Sequence, residues 1–137
     1  MSDVFDDDRF CFVCGEKNPF GLRLRPEGAD GKGIILWTPG KHHQGYTGVV
    51  HGGLLSTLLD EAMAYAAMSV AGFCATADIS VKFRKPVHTG EEVRIEAELI
   101  ERRGRILKLR ATVSQNGEEK ARGTATFISV PGERRET

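Results

Sequence analysis

The hydrophobic and polar positions change period along the chain and divide it into three parts. In the first, Gly21-Leu-Arg-Leu-Arg25 alternates apolar with basic residues, and Gly33-Ile-Ile-Leu-Trp-Thr38 is rich in β-forming residues. Two strands are expected there, with Pro26-Glu-Gly28 and Asp30-Gly31 supplying the turn chemistry between them. A polar, glycine-rich loop from Thr38 to Gly48 follows. From Gly52 to about Ala71, Leu54, Leu55, Leu58, Leu59, Ala62, Met63, Ala66, Ala67 and Met68 wrap most of a helical circumference. That distribution predicts a helix buried on most sides. At ~1.5 Å per residue it runs roughly 30 Å, the width of a small domain.

After Gly72 the period becomes two. Thr76 to Arg84 reads as a strand closed by Lys85-Pro86. Val93, Ile95, Ala97 and Leu99 alternate with charged residues, and Leu107 to Val113 and Ala121 to Phe127 continue the rhythm. Arg102-Arg-Gly-Arg105 and Gln115-Asn-Gly-Glu118 fall at the joints, and Asn116-Gly117 is a two-residue hairpin signal. An antiparallel meander with one dry face needs a cover, and the helix is the long apolar element at hand. The expected architecture is α+β, one central helix wrapped by a curved antiparallel sheet, forming a single domain over residues 1–137. The polar ends, 1–9 and 132–137, are expected to fray.

Composition narrows the function classes. The 137 residues are 40% hydrophobic and 28% charged, an ordinary globular balance. Lys+Arg and Asp+Glu both number 19, so the excess positive charge that nucleic-acid binding needs is lacking. No apolar run is expected to approach the ~20 residues of a membrane span, and the acidic amino terminus is unlike a signal peptide, so a cytoplasmic location is expected. The cysteines, Cys11, Cys14 and Cys74, are odd in number. Cys11-Phe-Val-Cys14 has the spacing of half a zinc site, for which His42, His43 and His88 are further candidates. Without a second such pair, it is read as a small buried turn with packed thiols, and no metal is expected.

The densest chemical signal runs from Gly45 to Glu61. Gly52-Gly53 at a helix start leaves backbone N–H groups open to an anion or a developing oxyanion. The alternative is that the glycines relieve crowding at a tight junction. Asp60 and Glu61 follow in the middle of the most apolar helix, about 100° apart around its axis. Each must reach solvent, a partner or a cavity, and burial would raise its pKa toward the range of a general base. A salt bridge to an arginine of the sheet is the competing role. His51 is either a site residue or a core histidine bonded to backbone.

The stretch from Gly45 to Ala67, the downstream Thr76-Ala-Asp-Ile-Ser-Val-Lys-Phe-Arg-Lys-Pro86 and the opening Cys11 to Leu22 together resemble hotdog-fold acyl-CoA thioesterases of the phenylacetate-pathway (PaaI-like) type. The resemblance implies hydrolysis of an acyl-CoA, or a related acyl thioester, to acid and thiol. It implies a homodimer or homotetramer in which sheets join edge to edge, with active sites at the interface. Asp60 matches the aspartate that activates water or attacks the thioester, and Gly52 the glycine whose N–H meets the carbonyl oxygen. Thr76 matches a hydroxyl that assists across the interface, and His51 leads the motif. Where many members carry an asparagine six residues before the histidine, this chain has Gly45, with Gln44 beside it as a substitute polar group. Gly53, Lys82, Arg84, Lys85 and Arg103 are candidates to hold the coenzyme, since basic side chains suit its phosphates. No cofactor beyond the coenzyme A of the substrate is implied. Two other readings stay open. One is a hydroxyacyl-thioester dehydratase pairing His43 or His51 with Glu61, and the other is a non-catalytic acyl-CoA-binding module.

Overall fold

The computed structural model describes residues 4–134. The helix, α1 (Gly52–Ala71), has the limits its apolar pattern predicts. His51 is the extended residue before it, and Gly72, at φ +72°, ends it with its N–H on the Met68 carbonyl. Leu55, Leu58, Leu59, Ala62, Met63, Ala66 and Ala67 form one buried stripe. Leu54 and Met68 are only half-buried and Val70 is exposed, so one chain covers fewer sides of the helix than expected. Contrary to the sequence expectation, this helix is long and apolar enough to cross a membrane; here the sheet occupies its buried stripe.

The sheet comprises β2 (Glu27–Ala29), β3 (Lys32–Trp37), β4 (Cys74–Phe83), β5 (Val93–Arg103), β6 (Ile106–Gln115) and β7 (Glu118–Ser129). Its six antiparallel strands run in the order β2-β3-β5-β6-β7-β4, and α1 touches all of them. This is the hotdog arrangement that the resemblance implies. Alternation places Ile35, Trp37, Val93, Ile95, Leu107, Leu109, Val113 and Phe127 in the core. Asn116 and Gly117 both have positive φ, +53° and +75°, as the tight hairpin turn between β6 and β7 requires. Asp30 and Gly31, at +54° and +77°, do the same between β2 and β3. Residues 27–28, expected as a turn, are therefore strand.

Two sequence expectations are corrected. Gly21–Arg25 is not a strand: Arg23 sits at φ +54°, and the N–H groups of Leu22 and Leu24 donate to the Phe12 and Val13 carbonyls at 2.9 and 2.8 Å. Leu22 and Leu24 do pack on the core, so the alternation is real but its partner is a loop. The chain ends are also tied more firmly than expected. β1 (Phe5–Asp7) pairs in parallel with β8 (Gly132–Arg134) as a two-stranded ribbon. Residues 1–3 and 135–137 of the expected loose ends lie outside the described residues.

Close packing of α1 on the sheet depends on Gly33. A Cβ there would stand 2.2 Å from the Ala62 carbonyl oxygen, a clash with helix backbone that no rotamer relieves. Gly33→Ala is expected to cost about 2–3 kcal/mol, the upper part of the usual overpacking range. The check is a lowered urea midpoint with an unchanged m-value; an unchanged midpoint would mean that the helix can lift off this strand freely.

Candidate active site

The approach to α1 is built from side chains turned back on the loop. Gln44 Oε1 accepts the Gly48 N–H at 3.0 Å, and the His51 N–H donates to the His43 carbonyl at 2.9 Å. The His51 ring then caps the helix, its Nδ1 accepting the Gly53 N–H at 2.9 Å. A neutral imidazole held this way carries its proton on Nε2. Gly53 gives the capping ring room, because a Cβ there would lie 3.0 Å from both Cε1 and Nδ1 of His51. The sequence left two N–H groups open at this helix start, and the structure narrows them to one. Gly53 is taken by His51, whereas the Gly52 N–H has no acceptor among the described residues.

Gly52 and His51 border a cavity of about 630 Å³, with Tyr46, Val50 and Phe83 as apolar wall and Arg84 and Lys85 at its side. Lys85 is ion-paired to Glu118, which Lys120 also meets at 3.0 Å; the two lysines hold the Glu118 carboxyl down to about 2. Arg84 lies 3.9 Å from Glu119, and Lys82, exposed on β4, makes no ion pair among the described residues. Arg103 is elsewhere. It sits at the β5–β6 turn next to Arg102, whose guanidinium reaches the Val70 carbonyl near the far end of α1.

Asp60 lies two turns along the helix, half-buried, and its Oδ1 accepts the Thr76 hydroxyl at 2.7 Å. Thr76 stands beside a bulge, where the β4–β7 register slips between Thr76 and Asp78; such a slip re-aims a side chain. Burial raises the Asp60 carboxyl above its ordinary range, and the Thr76 hydroxyl opposes that rise. Eight residues separate Gly52 from Asp60, a rise of about 12 Å. Along one helix the two therefore stand about two turns apart.

Glu61 faces the opening segment. Its Oε2 lies 3.8 Å from Cys11 Sγ, and the Cys11 sulfur, the Cys14 sulfur and a Glu61 oxygen all fall within 4.8 Å of one another. The Cys14 thiol hydrogen-bonds Cys11 and holds it down to about 5 against its burial, while Cys14 itself is pushed up by that bond and by burial. Burial pushes Glu61 up to about 7, and Tyr65, one turn further along, is raised mainly by its own burial. No histidine joins this group among the described residues. His43 packs edge-on against Trp37, ring centroids 5.1 Å apart, and its Nδ1 accepts the Gly40 N–H. The dehydratase pair of a histidine with Glu61 is thus not assembled among the described residues of the chain. Among the described residues neither Asp60 nor Glu61 bonds an arginine of the sheet, the competing role considered for both. The Cys–Glu group is what sequence reasoning missed. A mid-helix carboxylate without a cation and a Cys-x-x-Cys without further ligands were two incomplete signals that answer each other.

The family model described as the thioesterase superfamily matches residues 47–121, a stretch holding Gly52, Asp60 and Thr76. Mouse acyl-coenzyme A thioesterase THEM4 is 32% identical over 104 residues, 74% of this chain and 44% of that protein. The chain therefore spans less than half the length of this curated relative. Among solved structures, the conserved protein PA5202 from Pseudomonas aeruginosa superposes with a TM-score of 0.73 at 30% identity, covering 78% of this chain and 88% of that one. A mutant of the phenylacetic acid degradation protein PaaI from Thermus thermophilus gives the same TM-score, 0.73, at 24% identity, covering 78% and 93%. With the matching fold and more than half its length covered by the family model, the chain belongs to the thioesterase superfamily.

Proposed function

We propose that this chain hydrolyses acyl-CoA thioesters, or closely related acyl thioesters, to free acid and thiol. The observation that carries the reading is the pairing of one free helix-start N–H, at Gly52 beside an apolar cavity, with a half-buried aspartate held by a hydroxyl. The thioester carbonyl oxygen accepts the Gly52 N–H, at the positive end of the α1 dipole. Asp60 takes a proton from water as the water oxygen bonds to the carbonyl carbon. The tetrahedral intermediate collapses, the C–S bond breaks, and the thiolate leaves and is protonated. His51 acts by capping the helix and fixing the Gly52–Gly53 turn; Thr76 orients the Asp60 carboxyl. Arg84 and Lys85 line the cavity where coenzyme phosphates would be met, and Lys82 precedes them on β4. The relatives named acyl-coenzyme A thioesterase support the substrate class.

The separation of about 12 Å between Gly52 and Asp60 along the helix supports a site shared by two copies. β4 is a ten-residue edge strand, exposed from Thr76 to Ser80 and unpaired on its outer side among the described residues. Such an edge invites pairing with another strand. Two-fold pairing of β4 edges would set the helices antiparallel and bring Gly52 of one copy toward Asp60 of the other, while covering Phe83, now 53% exposed. A homodimer or dimer of dimers is expected at micromolar concentration by light scattering. A fully active monomer would defeat the two-copy site. The reaction itself is tested with a panel of acyl-CoAs assayed for free thiol. Release from some members is expected; tight binding with no release from any would favour an acyl-CoA-binding module.

A further inference from the structure

We infer that Cys11, Cys14 and Glu61 form a zinc site that fastens the opening segment of the chain to the middle of α1. Three donors from two distant parts of the sequence converge, with one ligand atom of each within 4.8 Å of the others. In a zinc site with ~2.3 Å Zn–S and ~2.1 Å Zn–O bonds, tetrahedral ligand atoms stand roughly 3.5–3.8 Å apart. Small side-chain rotations close the difference. Two thiolates with a carboxylate and a nearby neutral donor suit zinc, whereas calcium and magnesium favour all-oxygen sets.

The backbone is shaped for the purpose. The Gly15 N–H donates to the Cys11 carbonyl at 2.9 Å, folding the Cys-x-x-Cys into a tight knuckle. A Cβ at Gly15 would lie 2.3 Å from the Cys11 nitrogen, so only glycine closes it this tightly. Leu22 and Leu24 then bond to carbonyls inside the knuckle and hold it against the core. Glu61 is the counterpart on the helix. It is a partly buried carboxylate whose neighbours are the cysteine sulfurs and which bonds no lysine or arginine among the described residues, so a divalent cation would be the positive partner of this donor group. Cys14 also borders a cleft of about 220 Å³ with Arg9, Glu16 and Tyr65, which has room for a water that could serve as a fourth ligand. The role is independent of the hydrolysis proposed above, because Glu61 serves here as a ligand and not as a base.

The test uses the full chain, purified with reductant and without chelator, stripped of metal and then titrated with zinc and with cobalt(II). One equivalent of either metal is expected to bind, with cobalt giving thiolate charge-transfer and tetrahedral visible bands, and zinc raising the unfolding temperature. Cys11→Ser with Cys14→Ser should abolish the bands. Glu61→Gln should weaken binding by ~10-fold or more while circular dichroism stays native. Cys74→Ser, which alters the one cysteine outside the cluster, should leave binding unchanged. Absence of cobalt bands in reduced, folded protein would overturn the site. A Cys11–Cys14 disulfide persisting in reductant would do the same. Unweakened binding in Glu61→Gln would remove the carboxylate from it.

Discussion

Asp60→Asn should lower kcat on a thioester substrate by at least ~100-fold, the lower range for removing a general base. The carboxyl sits on a helix whose neighbouring turns bury Leu58, Leu59 and Met63, where an ionised group has no structural reason to be retained. Asparagine keeps an oxygen to accept the Thr76 hydroxyl and keeps the side-chain shape, so the local fold is preserved while the basic oxygen is lost. Substrate affinity and the oligomer should persist, and stability should stay level or rise, because a desolvated charge has gone. Steady-state kinetics with thermal unfolding on the same preparation reads both halves. Glu61→Gln on the same substrate should cost less activity. Full activity of Asp60→Asn would end the role assigned to Asp60.

Gly52→Pro should lower kcat by a different route, ~100- to 1,000-fold, the range seen when one oxyanion donor is deleted. The substitution removes the N–H and little else. Gly52 is the first helical residue, a position where proline is favoured because its missing N–H is not needed by the helix. His51 before it has φ −60° and ψ 128°, the extended conformation that a following proline prefers. A side chain at position 52 meets the Phe83 ring at an ordinary 3.5 Å. Gly52→Ala is the matched control, since it adds the carbon and keeps the N–H. The expected pattern is an active alanine variant beside a folded, nearly inactive proline variant. Equal activity of the two would move the carbonyl contact away from Gly52.

Long periodic elements were legible in the sequence because burial on one face writes a repeating pattern. The helix limits, the β6–β7 turn at Asn116-Gly117 and the alternation of β5 to β7 follow from local chemistry. The misses share a different cause. Leu22 and Leu24 alternate like a strand, yet their backbone partners are carbonyls of a loop about ten residues earlier, which no periodicity encodes. β1 and β8 are three residues each and meet across nearly the whole chain. At the site, the motif drew attention to Gly52, Gly53 and Asp60. The His51 cap that divides the two glycines into one occupied and one free N–H depends on a rotamer. Likewise Glu61 was visible as an anomaly, but its sulfur neighbours came from a segment whose path over the helix is set by tertiary packing.

The strand order also favours one sequence of folding events. β5, β6 and β7 succeed one another through two-residue turns, so their ladders form with little loss of loop entropy. Joining β3 to β5 pairs Trp37 with Val93, and joining β4 to β7 pairs Cys74 with Ser129, so both closures enclose long intervening chain. A nucleus made of the meander and the helix that covers it is the low-contact-order route, with β3 and β4 docking on either flank afterwards. The ribbon pairing Phe5 with Gly132 closes the largest loop of all and is short, so it is expected to form last and, by hydrogen exchange, to open first.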